Sequence, residues 1–422
     1  MKPSQRILRT RRPRTRIAAC ACALLLAALP VGSAAASPHT GTTTSSKVAT
    51  PDRGDLVSAT PLHTWSAREA ARYLTKADFD SSMVKHGVRT YRIVYRTVDA
   101  ARRPTTASGL LVLPRIGDRR LRVVSYGHGT SVHRADVPST PDGFAASPGV
   151  LYGAAGFASV SPDYLGLGSG PGTHPWMHVR TEASASLDLL RAAREFTART
   201  DRTLDRDVLV TGFSQGASAA LGLARELQRR ADPWFRLGAL ASISGAYALR
   251  DAEIPALLAG EVQQPYGVVY ASYLFVAWNR LFHLYRDPSE VFQQPYADKV
   301  EKLFDGSTPG EEIVAALPND LDKLLTERGF ELLRKPTGQM AVGLRQADSV
   351  CEWAPRTPLR LYRATGDEQA VTANTDHCRS SLLRHGVRAP IVELGEPEYQ
   401  GSRHLGSAVA GVTATARWFQ QL

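Results

Sequence analysis

Asp207-Val208-Leu209-Val210-Thr211-Gly212-Phe213-Ser214-Gln215-Gly216-Ala217-Ser218-Ala219-Ala220 is the stretch that decides the fold. It begins as a short apolar run, the pattern of a buried strand. It ends as an alanine-rich segment that continues to Gln228 and favours a helix. Between the two lies Gly212-Phe213-Ser214-Gln215-Gly216, the only G-x-S-x-G in the chain. A serine on a turn joining a strand directly to a helix is lifted above the sheet edge, and the flanking glycines leave room for that tight turn. The N–H of Gln215, at the helix start, is then free to face a developing negative charge.

Working outward, strands and helices alternate. Upstream, Tyr91–Tyr95, Gly109–Leu113, Leu121–Tyr126 and Gly156–Ser161 read as strands. The segment from Thr181 to about Arg199 has its apolar residues at helical spacing. Downstream, Leu237–Ser244, Leu359–Ala364 and Pro390–Leu394 read as strands, and the chain ends in a helix holding Val409, Val412, Ala416 and Phe419. Apolar strands alternating with helices predict an α/β fold, a mostly parallel sheet covered by helices on both faces. The rhythm breaks over 251–347, where helical and aromatic residues dominate and no strand pair is evident. The expected organisation is a first core part at 61–250, an inserted helical cap at 251–347 and a second core part at 348–422.

A serine hydroxyl is a weak nucleophile and needs a base, which a third group must orient. On this kind of sheet the partners follow the serine in the order acid, then histidine. Asp367 stands after a glycine turn, just past the strand ending at Ala364, and is the expected acid, with Glu368 and Asp376 as fallbacks. His404 lies in Gly401-Ser402-Arg403-His404-Leu405-Gly406, between the last strand and the last helix, and is the expected base. His377 and His385 flank a helix and read as surface residues, whereas His283 falls in the cap. A second oxyanion donor is expected from Tyr126-Gly127-His128-Gly129-Thr130, as the backbone N–H of Thr130 or Gly129. The segment from Tyr266 to Tyr285 carries seven aromatic residues, and Tyr273, Phe275 and Trp278 are expected to line an apolar substrate slot.

The formal charge of +11 misleads. The first 36 residues hold seven of the 51 basic residues and no acidic one, so the remainder carries 44 basic against 40 acidic residues, a net +4. No clustered basic stripe remains for nucleic acid. The basic start is followed by the apolar run Ile17–Leu29, then by Ser33-Ala34-Ala35-Ala36, the layout of a cleavable export signal. Residues 1–36 are therefore expected to be a signal peptide and 37–60 a flexible Thr/Ser-rich lead-in, making the protein secreted. Cys20 and Cys22 leave with the signal. Cys351 and Cys378 remain, an even count that predicts a disulfide in an oxidising compartment.

Two features mimic other chemistry. Gly166-Leu167-Gly168-Ser169-Gly170-Pro171-Gly172 fits neither common nucleotide-loop pattern, and Pro171 removes an amide donor. His128, His133, His174 and His178 match no standard metal-ligand spacing. Neither cofactor nor metal is expected.

Tyr126-Gly127-His128-Gly129-Thr130, Pro162-Asp163-Tyr164-Leu165-Gly166-Leu167-Gly168 and Gly212-Phe213-Ser214-Gln215-Gly216 together resemble the α/β-hydrolase superfamily. Within it the chain is similar to secreted lipases and esterases of the fungal lipase A type and their bacterial relatives, from about residue 60 onward. The resemblance implies a helical cap between the sixth and seventh core strands, where 251–347 falls. It also implies hydrolysis of carboxylic esters through a covalent acyl-enzyme. Fungal members tend to have an aspartate in the oxyanion loop where this chain has Thr130. The expected partners are small-molecule or lipid esters, with transient contact to a lipid interface. The residues leave the oligomeric state open. A secreted peptidase or an acyltransferase would use the same residues, and a non-catalytic binding protein is the remaining alternative.

Overall fold

The computed structural model describes residues 52–422. The expected signal peptide and most of the lead-in lie outside the described residues. Nine strands form one sheet: β1 (Leu56–Trp65), β2 (Val88–Val98), β3 (Pro104–Pro114), β4 (Arg120–Gly127), β5 (Ala158–Pro162), β6 (Thr203–Phe213), β7 (Arg236–Ile243), β8 (Leu359–Arg363) and β9 (Ile391–Glu393). Their spatial order is β1-β2-β3-β5-β4-β6-β7-β8-β9. The pairs β1–β2, β2–β3 and β3–β5 are antiparallel. From β5 through β4 to β9 every pair is parallel. The sheet is thus mostly parallel, with an antiparallel N-terminal flank.

Four helices precede or directly follow the central strand: α1 (Ala67–Lys76), α2 (Ser147–Ala154), α3 (Val179–Ala198) and α4 (Gln215–Gln228). One apolar layer packs strand residues such as Val123, Val160 and Val210 against α3 and α4, through Leu189, Leu190, Leu221 and Leu223. The other packs Val124, Leu209 and Ala241 against α2 and the C-terminal helix. The crossovers that parallel strands require supply both layers.

The strand β1 corrects the expected lead-in, since Leu56–Thr60 is paired with β2. Its register shifts twice, between Leu56 and Ser58 and between Pro61 and His63, and little of it is buried. An edge strand that carries a proline and no buried face leaves no alternating pattern to read.

Between β7 and β8 the chain makes a π-helical turn at Leu249–Glu253 and then seven helices. These are α5 (Ile254–Leu258), α6 (Tyr266–Phe282), α7 (Val300–Leu303), α8 (Gly310–Ala316), α9 (Leu321–Leu324), α10 (Glu327–Arg334) and α11 (Gly338–Asp348). They share a hydrophobic core distinct from the two sheet layers, containing Phe275, Trp278, Phe292, Phe304 and Leu344, and joined by Trp176 and Met177. The extra strand β1 shifts this segment from after a sixth to after a seventh strand. Then α12 (Ala373–Arg384) and α13 (Arg403–Gln421) complete the chain, and a Cys351–Cys378 disulfide ties the end of the helical segment to α12. No helix among the described residues is long and apolar enough to cross a membrane.

Candidate active site

Ser214 directly follows β6 and takes the N-cap position of α4, with φ 55° and ψ −122°. That is a strained backbone for a residue with a Cβ, and such strain concentrates at functional sites. The turn is possible because its neighbours are glycines. A Cβ on Gly212 would meet the Gly216 carbonyl oxygen at 2.0 Å, and one on Gly216 would meet the Gly127 oxygen at 2.1 Å. The serine backbone is also tied to the next strand, its N–H donating to Ile243 O at 2.9 Å.

Three buried side chains meet here, from the turn after β6, the turn after β8 and the first turn of α13. The Ser214 hydroxyl lies 2.9 Å from His404 Nε2. His404 Nδ1 lies 2.9 Å from Asp367 Oδ2. The second Asp367 oxygen accepts the backbone N–H groups of Gln369 and Ala370, at 3.0 and 2.9 Å, which fixes the carboxylate plane. With Nδ1–H donated to Asp367, Nε2 presents a lone pair to the serine proton. Burial works to lower the His404 pKa, but the charge and hydrogen bond of Asp367, joined by Glu368 and Glu253, outweigh it and raise the pKa above the ordinary value. Phe213 packs on the imidazole with ring centroids 4.6 Å apart. Such an arrangement can draw a proton from the hydroxyl and hold the imidazolium that results.

Gln215 is the first residue of α4, so its N–H has no carbonyl one turn earlier to bond. Its side chain is anchored in the interior. Gln215 Nε2 donates to Glu182 Oε1 at 2.7 Å and to His174 Nε2 at 2.8 Å. His174 can accept because its Nδ1–H is donated to Leu165 O. Burial pushes the Glu182 carboxyl up to about 8 and the His174 imidazole down to about 3. His128 is likewise buried and pushed down to about 4, with Nδ1 2.7 Å from Gly129 O, and it does not reach Ser214. The Gly129 backbone abuts the nucleophile turn, since a Cβ there would sit 3.0 Å from Phe213 and 3.5 Å from Ser214 Cβ. Thr130 Oγ1 accepts the indole N–H of Trp176 at 3.0 Å.

A cavity opens at Ser214. Thr130, Trp176, Met177, Leu249, Glu253, Leu257, Val262, Tyr270 and Gln369 are among its walls. Tyr273, Phe275 and Trp278 are not, which corrects the expectation for these three. All are buried in the helical segment's own core. Tyr273 stacks on Trp176 with centroids 4.9 Å apart, Phe275 meets Phe292 edge-on, and Trp278 donates its indole N–H to Trp176 O. Of the α6 aromatics it is Tyr270 that reaches the cavity, its hydroxyl donating to Gln369 Oε1 at 2.7 Å. The sequence reading also missed Trp176, Met177, Leu249, Glu253, Leu257 and Val262. Only their positions in loops or short helices after strands could have pointed to them.

Glu368, next to Asp367, serves the histidine helix instead of the histidine ring. It accepts the N–H groups of Arg403 and His404 and the Ser402 hydroxyl. No cluster of metal-ligating side chains occurs among the described residues.

A mostly parallel sheet with a serine at its central strand-to-helix turn, hydrogen-bonded to a histidine and through it to an aspartate, defines an α/β-hydrolase. The chain belongs to the secretory lipase family, whose model matches residues 150–421. It is a carboxylic-ester hydrolase. Among solved structures it is similar to the rice cell wall degrading esterase LipA from Xanthomonas oryzae. That match has 27% identity and a TM-score of 0.79, and covers 88% of this chain and 99% of that one. A putative hydrolase from Legionella pneumophila matches at 25% identity and a TM-score of 0.78, over 87% and 97% of the two chains. Lipase A from Candida antarctica, in its closed state, shares the fold at 14% identity and a TM-score of 0.63, over 89% and 83%. No curated protein sequence matches the chain.

Proposed function

We propose that the protein is an exported serine lipase or esterase in which Ser214, His404 and Asp367 carry out hydrolysis through an acyl-enzyme. The observation that carries this reading is the unbroken hydrogen-bond path from Asp367 through His404 to Ser214, with both links at 2.9 Å. Ser214 Oγ attacks the ester carbonyl while His404 Nε2 takes its proton. Asp367 stabilises the imidazolium without being protonated. The oxyanion is held by the backbone N–H of Gln215 and by that of Thr130 or Gly129, and His404 then protonates the departing alcohol. Water, activated by the same imidazole, releases the acid and restores Ser214. No cofactor enters any step.

The substrates are small-molecule or lipid esters, because the cavity walls at Trp176, Met177, Leu249, Leu257 and Val262 are apolar. Residues 251–347 act as the cap, which contributes Leu257 and Val262 to those walls, between core parts at 56–250 and 348–422. Export with removal of residues 1–36 is supported by the secretory character of the family and by the disulfide. A panel of p-nitrophenyl esters and aminoacyl anilides tests the assignment. Ester turnover that disappears on blocking Ser214, with slow or absent anilide cleavage, is the expected result. Faster anilide cleavage would replace the lipase reading with a peptidase.

A further inference from the structure

Glu253 is the one carboxyl in the walls of the cavity at Ser214, and the hydrolytic mechanism does not use it. It ends the π-helical turn Leu249–Glu253 that leads into α5, so the turn sets both Leu249 and Glu253 on the cavity. π-turns occur often at functional sites because they re-aim side chains. Its fellow wall residues Leu249, Leu257, Val262 and Ala370 are apolar. Burying a carboxyl among such neighbours is costly unless its oxygens are bonded.

The protein bonds it only in part. Asn374 Nδ2 donates to Oε2, and the Val371 amide approaches closely enough to favour the charged form. Asn374 is itself fixed for this task, since its Oδ1 accepts the Ala248 N–H at 3.0 Å and its Nδ2 also donates to Val371 O at 3.1 Å. An ionised carboxylate offers about four acceptor positions. Acceptor capacity is therefore left on a residue that lines the cavity.

We propose that Glu253 determines specificity by hydrogen-bonding a hydroxyl group on the substrate, so that the preferred esters are hydroxylated on the part that lies along Leu249, Leu257 and Val262. The proposal rests on Ser214 being the reacting residue. A hydroxyl is the matching group because it pairs with either form of the acid, donating to the carboxylate or accepting from the carboxylic acid. Burial pushes the Glu253 pKa up to about 7, so both forms exist at neutral pH. A site with an unmet hydrogen-bonding group disfavours the analogue that lacks the partner, and this sets specificity more strongly than an extra methylene does.

Glu253 also adds to the charge that raises the His404 pKa. That effect acts on every ester alike and cancels in a ratio of two substrates. The test therefore compares matched pairs: methyl butyrate with its β-hydroxy form, methyl hexanoate with its ω-hydroxy form, and propyl acetate with glyceryl monoacetate. kcat/KM is measured at constant pH for the wild type, Glu253→Leu and Glu253→Met, with folding checked by melting temperature and by fluorophosphonate labelling at Ser214. The hydroxylated-to-plain ratio should fall about tenfold or more in both variants for at least one pair, the size expected for loss of one hydrogen bond to a charged group. A ratio that moves less than threefold in every pair overturns the proposal. So does a wild type that prefers the plain ester in all three pairs, a result that needs no folded variant. Activity surviving in Ser214→Ala would instead overturn the underlying reading of the site.

Discussion

Glu368 caps the helix that carries His404: its carboxylate accepts the His404 backbone N–H at 3.3 Å and the Arg403 N–H at 3.1 Å. It also accepts the hydroxyl of Ser402, which in turn accepts the Leu405 N–H at 3.1 Å. The first N–H groups of α13 are thereby satisfied, and a negative charge stands where the helix dipole favours one. Asp367 and Glu368 thus divide the work between neighbouring positions. One orients the imidazole ring, and the other fixes the backbone from which it hangs.

The division is testable by pH. The charge on Glu368 is among the causes that raise the His404 pKa, so Glu368→Gln should lower that pKa. The base must be neutral to act, so activity rises with pH through the His404 pKa. The acidic limb of kcat/KM should therefore move to lower pH in the variant. Glu368→Ala should move it in the same direction and cost about 1–3 kcal/mol of stability as well, the scale of leaving its hydrogen-bond partners at the start of α13 without a charged acceptor. An acidic limb unmoved in both variants would show that Glu368 is only a structural cap.

Ser214→Ala should reduce kcat by roughly 10⁴–10⁶. The melting temperature should change little, because the substitution removes one hydroxyl. A fluorophosphonate should label the wild type and leave the variant unlabelled. Retention of a tenth of the activity would remove Ser214 as nucleophile.

Cys351 and Cys378 bracket β8 and the turn presenting Asp367, with a sequence separation of 27. In the chain-entropy account such a loop contributes about 3–4 kcal/mol. Reduction should lower the melting temperature by several degrees and weaken activity together with it, since the acid's turn lies inside the loop. Thiol titration of the unreduced, denatured protein should find no free thiol from this pair, and two would contradict the bridge.

The parts of the fold that could be read from the chain were those where local pattern and burial coincide. The run into Ser214, the glycine turn before Asp367 and the loop at His404 each combine a strand end with a residue type chosen for chemistry. The edge strand β1 gave no such coincidence, because Pro61 and two register shifts erase its alternation. The helix α6 failed for the opposite reason. Buried residues from Gly267 to Trp278 surround nearly its whole circumference, so periodicity cannot say which aromatic faces the cavity. Glu182 was invisible as a buried group because a glutamate on a helix is ordinarily a solvated one.

The cavity walls give the last prediction, which separates residues that touch substrate from residues that hold the walls. Leu257 and Tyr270 line the cavity, whereas Phe275 is fully buried behind it against Phe292. Each methylene of an acyl chain that leaves water contributes about 0.8 kcal/mol, part of which reaches the transition state. kcat/KM for p-nitrophenyl esters should therefore rise from acetyl towards medium chains in the wild type. Leu257→Trp fills the space and should move the optimum to shorter chains, with little change for the acetyl ester. Phe275→Ala should leave the optimum in place while lowering stability by about 3–5 kcal/mol, the cost of emptying a packed aromatic site. An optimum that shifts in Phe275→Ala but not in Leu257→Trp would mean that the acyl chain runs through the core of the helical segment instead of the cavity at Ser214.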